Sequence, residues 1–148
     1  MLRIIRGLPG SGKSTFARTF KDCMYAENDF FHINELGEYH YSRENIGYAI
    51  EYCRGTTALF LNKKINVVVA NTFTLLDEVR EYVEMAEHFH PGVEIYRMTT
   101  QYKDTHDVPQ NVFEAMKKRM IDIPGECLVP NLKVHDFEGA ALWVMTKY

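Results

Sequence analysis

The chain lacks most of what would mark a secreted, membrane-spanning or nucleic-acid-coating protein. Its 148 residues contain three cysteines, Cys23, Cys53 and Cys127. They are odd in number, widely spaced and set in apolar surroundings, which argues against a disulfide framework or a zinc site and predicts reduced core thiols. Neither sign of charge dominates, with 17 Lys and Arg against 20 Asp and Glu. A net charge of -3 and a pI near 6.1 exclude coating of nucleic acid by sheer positive charge, and leave room only for a local basic cleft. No run approaches the ~20 apolar residues of a membrane span. The N-terminus enters a strand and a glycine loop rather than a cleavable signal, so the expected compartment is the cytoplasm, with no membrane partner. There is no internal repeat, linker or low-complexity segment. With 46% hydrophobic and 25% charged residues, the composition predicts one globular domain over residues 1–148.

What is present is an alternation of strand and helix patterns. Leu2 to Arg6 is a short apolar run ended by Gly7, read as a buried central strand. A helix follows from Lys13, with Phe16 and Phe20 four apart on one face. Cys23 to Ala26 forms a second short strand that delivers Glu27, Asn28 and Asp29 to its C-terminal end. From Ser42, read as an N-cap, Ile46, Ala49, Ile50, Cys53, Thr57, Phe60 and Leu61 recur at helical spacing. Ile65 to Ala70 is continuous and β-branched, as a strand buried on both faces would be.

Thr74 with Asp77 resembles a capping box, opening a helix whose stripe is Leu75, Val79, Tyr82, Ala86 and Phe89, stopped by His90-Pro91-Gly92. Val93 to Thr99 is a further strand, and Val108 to Met120 a helix with Pro109 in its first turn. Leu128 to Val134 and Glu138 to Thr146 are expected as a last short strand and a terminal helix. This order predicts a three-layer α/β/α domain around a mainly parallel sheet, with ligands beyond the carboxyl ends of the strands.

Residues 7–14, GLPGSGKS, satisfy G-x-x-x-x-G-K-S/T in full. By average residue frequencies such a match arises by accident in about one chain of this length in two hundred. The loop also lies between a predicted strand and a predicted helix, as the motif requires. Gly7, Pro9, Gly10, Ser11, Gly12, Lys13, Ser14 and Thr15 are therefore candidates to cradle nucleotide phosphates. Lys13 would reach the β- and γ-phosphates, and the Ser14 hydroxyl would ligate Mg²⁺.

Phosphate binding alone does not select a reaction, but several absences narrow it. No N-K-x-D tetrad follows the loop, which disfavours a GTPase. The strand Ile65 to Ala70 ends in Ala70-Asn71, where a motor ATPase would place acids. A kinase needs a carboxylate facing the γ-phosphate. Asp29, flanked by Phe30 and Phe31, stands on the expected rim; the alternative is a capping or solvated aspartate. On the helix after Pro109, Val112, Phe113, Met116 and Met120 share a face. Arg119 borders that face and Lys118 opposes it. Arg119 is either an inward-reaching cation or part of a solvated Lys-Lys-Arg run.

The ordered set GLPGSGKST, NDFF, EYHY, AIEYC, VVVANT, EVREYVEMA and HDVPQNVFEAMKKR resembles the stand-alone domains related to the kinase half of phage and animal polynucleotide kinases. The resemblance covers about residues 1 to 120. It implies a P-loop kinase fold with a short helical lid at about 101–125. It also implies transfer of the γ-phosphate of ATP, with Mg²⁺, to a 5′-hydroxyl end of RNA or DNA. By this resemblance Lys13 and Ser14 hold phosphate and metal, Asp29 is the general base and Arg119 the lid arginine.

The chain departs from that pattern in two places. Where the phage enzyme has an arginine three residues after its catalytic aspartate, this chain has His32; where relatives often carry an acid before the Asn-Thr pair, it has Ala70. His32, Arg43 and Asn71, with Arg54, are candidates to hold the acceptor, and Tyr39 or Tyr41 to stack a base. The phosphatase pattern D-x-D-x-T/V is absent. Two other readings stand beside the polynucleotide kinase: a kinase for a nucleoside or small metabolite, and a non-catalytic nucleotide-dependent binding module. Oligomeric state has no signature in the sequence.

Overall fold

The computed structural model describes residues 1–38, 40, 42–102, 108–131 and 135–147. Tyr39, Tyr41, the Phe30 side chain and the far end of the expected strand Leu128 to Val134 lie outside the described residues. Five strands form one parallel sheet in the order β2-β3-β1-β4-β5. They are β1 (Leu2–Arg6), β2 (Met24–Ala26), β3 (Val67–Asn71), β4 (Val93–Met98) and β5 (Cys127–Val129). The helices are α1 (Lys13–Ala17), α2 (Ile46–Asn62), α3 (Leu76–Phe89), α4 (Gln110–Arg119) and α5 (Phe137–Thr146). This is the expected α/β architecture, and its parallel strands each need a crossover.

Strand alternation divides the core into two layers. Leu2, Ile4, Val67, Val69 and Ile95 pack with Cys53 and Leu61 of α2, Val79, Tyr82, Val83 and Ala86 of α3, and Ala140 and Val144 of α5. On the other face Ile5, Val68, Ala70, Met98 and Val129 pack with Ala17, Phe16 and Phe20. β1 is flanked by β3 and β4, so the chain order reverses about it. The carboxyl end of β1 is thus the switch point where α/β sheets open a ligand crevice.

Several local expectations are corrected. Ser42 makes no side-chain cap; it precedes a 3-10 turn, Arg43–Asn45, that leads into α2. Ile46 is exposed, and the buried stripe of α2 narrows to Ala49, Cys53, Thr57 and Leu61. Nor does Thr74 open a capping box, because its side chain is fully buried and engaged elsewhere. Helix α3 begins two residues later than Thr74, where the Glu78 carboxylate accepts the Leu75 N–H at 2.9 Å. Leu75 itself is exposed. Helix α1 stops at Ala17, so Phe20 lies beyond it while still meeting Phe16 edge-on at 5.3 Å.

Candidate active site

The glycine loop joins β1 to α1 at the switch point. Gly10 and Gly12 hold φ of 77° and 88°, the left-handed region in which a Cβ is costly. Gly7 is required for a different reason: a Cβ there would come within 2.6 Å of Ser11 Oγ and 2.9 Å of Met98 Cβ. Its N–H donates to the Thr72 carbonyl at 3.2 Å, tying the loop to the end of β3. From the other side, Tyr102 N–H donates to the Gly10 carbonyl at 3.0 Å, and Gln101 Nε2 to the Pro9 carbonyl at 2.8 Å. Ser11 is buried and its hydroxyl has no hydrogen-bond partner among the described residues. Thr15 is exposed on α1. Because α1 has only five residues, a phosphate held at this loop would rely on the loop's own N–H groups more than on a helix dipole.

Lys13 folds back over this loop, Nζ donating to the Leu8 carbonyl at 3.0 Å. Burial pulls its pKa down to about 8, against the opposing pull of the Asp29 and Glu27 charges. Asp29 sits exposed in the 3-10 turn Asn28–His32 that follows β2, close enough for its charge to act on Lys13. Glu27, at the end of β2, is 8% exposed. Burial pushes its carboxyl upward; a hydrogen bond from the Ser14 side chain works against that, and the Asp29 charge adds to it. Lys13, Ser14, Glu27 and Asp29 thus converge on one rim.

The remaining sequence-predicted residues divide by position. Asn71 is buried beneath the rim with both ends of its amide engaged: Oδ1 accepts the Asn28 N–H at 2.8 Å, and Nδ2 approaches Cys53 Sγ at 3.5 Å. It holds the Asp29 turn to β3. His32 is buried, its ring edge-on to Phe31 at 5.9 Å. Arg43 is exposed ahead of α2, and Arg54 is paired with Glu51 and Glu81. Helix α4 has no buried residue; Arg119 is exposed as a whole, yet its Nε donates to the buried Thr74 Oγ1 at 2.8 Å.

The sequence reading missed Glu27 as a site residue, and it missed the buried pair of Arg6 and Glu126 behind the loop. Strand alternation was the available signal for the first, since Glu27 shares a face with Tyr25 and not with Ala26. A charge closing an apolar strand was the signal for the second, because a buried arginine requires a partner.

Among the described residues no group of three or more His, Cys, Asp or Glu forms a ready-made metal cage. The Ser14 hydroxyl and the Glu27 carboxylate nevertheless fit Mg²⁺, which favours oxygen ligands and is usually held by one or two carboxylates plus substrate phosphates. No helix of the described residues is long and apolar enough to cross a membrane.

Comparison with known proteins agrees with this geometry. Residues 2–122 match the AAA domain family. The chain is 31% identical over 151 aligned residues to the uncharacterized protein PM0531 of Pasteurella multocida, covering 89% of this chain and 84% of that one. The Pnkp1/Rnl/Hen1 RNA repair complex contains a chain with the same fold at TM-score 0.55 and 21% identity, matching 98% of this chain but only 42% of its own length. A gluconokinase from Sinorhizobium meliloti 1021 superposes with TM-score 0.52 and 15% identity, over 96% of this chain and 90% of its own. The chain therefore belongs to this AAA domain family and has the fold of the P-loop kinases.

Proposed function

We propose that this chain is an ATP- and Mg²⁺-dependent phosphotransferase acting on the 5′-hydroxyl end of RNA or DNA. The observation that carries the reading is that Asp29, in the 3-10 turn after β2, stands where its charge acts on Lys13 of the glycine loop. Lys13 and the loop amides hold the β- and γ-phosphates. Asp29 orients the acceptor hydroxyl and takes its proton as the new O–P bond forms and the bond from the γ-phosphorus to the β–γ bridging oxygen breaks, releasing ADP. When bound beside Ser14, Mg²⁺ would neutralise charge on the phosphate oxygens. Arg119 supplies a further cation. The polynucleotide acceptor is supported by the ordered motifs of residues 1 to 120 and by the fold neighbour found in an RNA repair complex.

The test is direct. The protein, incubated with γ-labelled ATP, Mg²⁺ and a 5′-hydroxyl oligonucleotide, should label the oligonucleotide; ATP binding without label transfer to RNA or DNA removes the polynucleotide assignment.

A small hydroxylated metabolite is the second reading, favoured by the burial of His32 where an acceptor-binding arginine would stand. Salt separates the two. Polynucleotide affinity should fall steeply with salt, and a neutral metabolite should be insensitive to it.

A further inference from the structure

Strand β3 ends without an acid, yet a buried acid stands beside that position on the neighbouring strand. β2 and β3 are parallel, with Tyr25 opposite Val68 and Ala26 opposite Val69. Glu27 follows directly on the last paired residue, so the same register carried one step past the end of β2 would set it beside Ala70. Alternation puts both on the sheet face that α1 covers, because Tyr25 and Ala70 pack in the core cluster of that face. Ser14, on α1, has its side chain near enough to act on the Glu27 carboxylate.

We propose that Glu27 supplies the protein carboxylate of the Mg²⁺ site, replacing from β2 the acid that β3 lacks at Ala70. This rests on the nucleotide-dependent phosphotransferase reading above and names the metal-holding residue of that site. The physical argument is one of charge. Glu27 is only 8% exposed, and the charges of Arg18 and Lys13 that act on it do not offset the cost of its burial, which pushes its carboxyl upward. A carboxylate withdrawn from water without a paired cation is costly, and such groups are retained where a cation is bound. Asp29, two residues on, adds a second negative charge to the same rim. Lys13 is committed to the loop through the Leu8 carbonyl. A divalent cation next to the Ser14 hydroxyl satisfies the carboxylate and the incoming phosphates together. Ala70, 4% exposed, offers no oxygen at the equivalent place.

The experiment reads nucleotide binding instead of turnover. A non-hydrolysable ATP analogue is titrated into the protein by calorimetry with Mg²⁺ and with EDTA. Binding of Mn²⁺ to the protein–analogue complex is followed in parallel by electron paramagnetic resonance. In the unaltered protein the metal should tighten analogue binding. In Glu27→Gln, which keeps the shape of the side chain, metal-free binding should not weaken, since a negative charge beside the phosphates is removed, whereas Mn²⁺ affinity in the complex should fall by about 10–100-fold. The double variant Glu27→Gln, Ala70→Asp should recover part of that loss by returning a carboxylate to β3. Equal Mn²⁺ affinity in Glu27→Gln and the unaltered protein overturns the proposal. Should Glu27→Gln fail to melt cooperatively, Glu27→Asp carries the test: it should lose Mn²⁺ affinity severalfold, and an undiminished affinity overturns the proposal equally. Failure to label an acceptor, with the Glu27 effect intact, counts against the phosphotransfer reading alone. Failure of the unaltered protein to bind the analogue at all overturns both.

Discussion

The Arg6 guanidinium and the Glu126 carboxylate meet at 3.0 Å, with side chains 0% and 3% exposed, across 120 residues of sequence. Arg6 also donates to the Phe73 carbonyl at 3.2 Å and to the Ile121 carbonyl at 2.8 Å. One side chain therefore ties the end of β1 to the loop after β3 and to the segment after α4. Both of these flank the glycine loop or the candidate lid. Burial drives the Arg6 pKa down, and the Glu126 charge counters it.

Removing one partner should leave an uncompensated buried charge. Glu126→Ala is expected to cost about 3–5 kcal/mol of stability. In a double-mutant cycle with Arg6→Met, the double variant should cost clearly less than the sum of the singles, because the second change removes the orphaned charge. Urea denaturation of the four proteins measures this. Strictly additive losses would show that the pair does not act as a unit.

Lys13 gives a pH signature. Its pKa is pulled by burial from the ordinary lysine value to about 8, so above that point it is mostly neutral in the free protein. Triphosphate requires the charged form. ATP binding above pH 8 should therefore take up a proton, and affinity should fall as pH rises, towards about tenfold per unit. The stability of the free protein moves oppositely. Between about 8 and the ordinary lysine value the folded state holds fewer protons than the unfolded one, so this group's contribution rises with pH. Calorimetry of ATP binding in buffers of different ionisation enthalpy counts the protons; no uptake above pH 8 would refute the assignment.

Asp29 separates catalysis from binding. Asp29→Asn keeps the size of the side chain and removes its ability to accept the acceptor's proton. Turnover should fall by about 10²–10⁴-fold, while the affinity of the ATP analogue changes little. Undiminished turnover in Asp29→Asn would remove Asp29 as the general base, whereas ATP binding with no turnover in the unaltered protein would favour the reading of the chain as a nucleotide-dependent binding module.

The fold was legible wherever a local pattern specified it. The runs Leu2 to Arg6 and Ile65 to Ala70 read as buried strands and stand as β1 and β3, although β3 begins only at Val67 and leaves Ile65 exposed before it; the glycine motif specified the turn from β1 into α1. Helix starts were less legible, because Thr74 looks like a cap in sequence and is instead consumed by Arg119 from 45 residues away. Glu27, Asn28 and Asp29 read as one polar group. Only the twist of the chain into a 3-10 turn decides that Glu27 is buried, Asn28 is tied to Asn71, and Asp29 faces out. Arg6 and Glu126 could not be paired from sequence, since nothing local relates them. His32 reads as a candidate acceptor ligand from its place after Asp29; its burial depends on contacts that sequence spacing does not encode.

Arg119 uses only its Nε on Thr74, and its other N–H groups have no partner among the described residues. Thr74 is fully buried, so it is a fixed anchor. An arginine held this way can turn its terminal nitrogens as a fork toward a phosphate, which a lysine with a single nitrogen cannot do while keeping the anchor. Arg119→Ala should lower kcat by about 10²-fold or more. Arg119→Lys should recover little of that loss. Thr74→Val should lower kcat by about tenfold, the scale of one lost hydrogen bond to a charged group. Lys118→Ala, on the opposite side of α4, should leave kcat unchanged. Measured together, these four variants distinguish an oriented cation from general positive charge: if Arg119→Lys and Lys118→Ala behave alike, the guanidinium geometry has no part in the reaction.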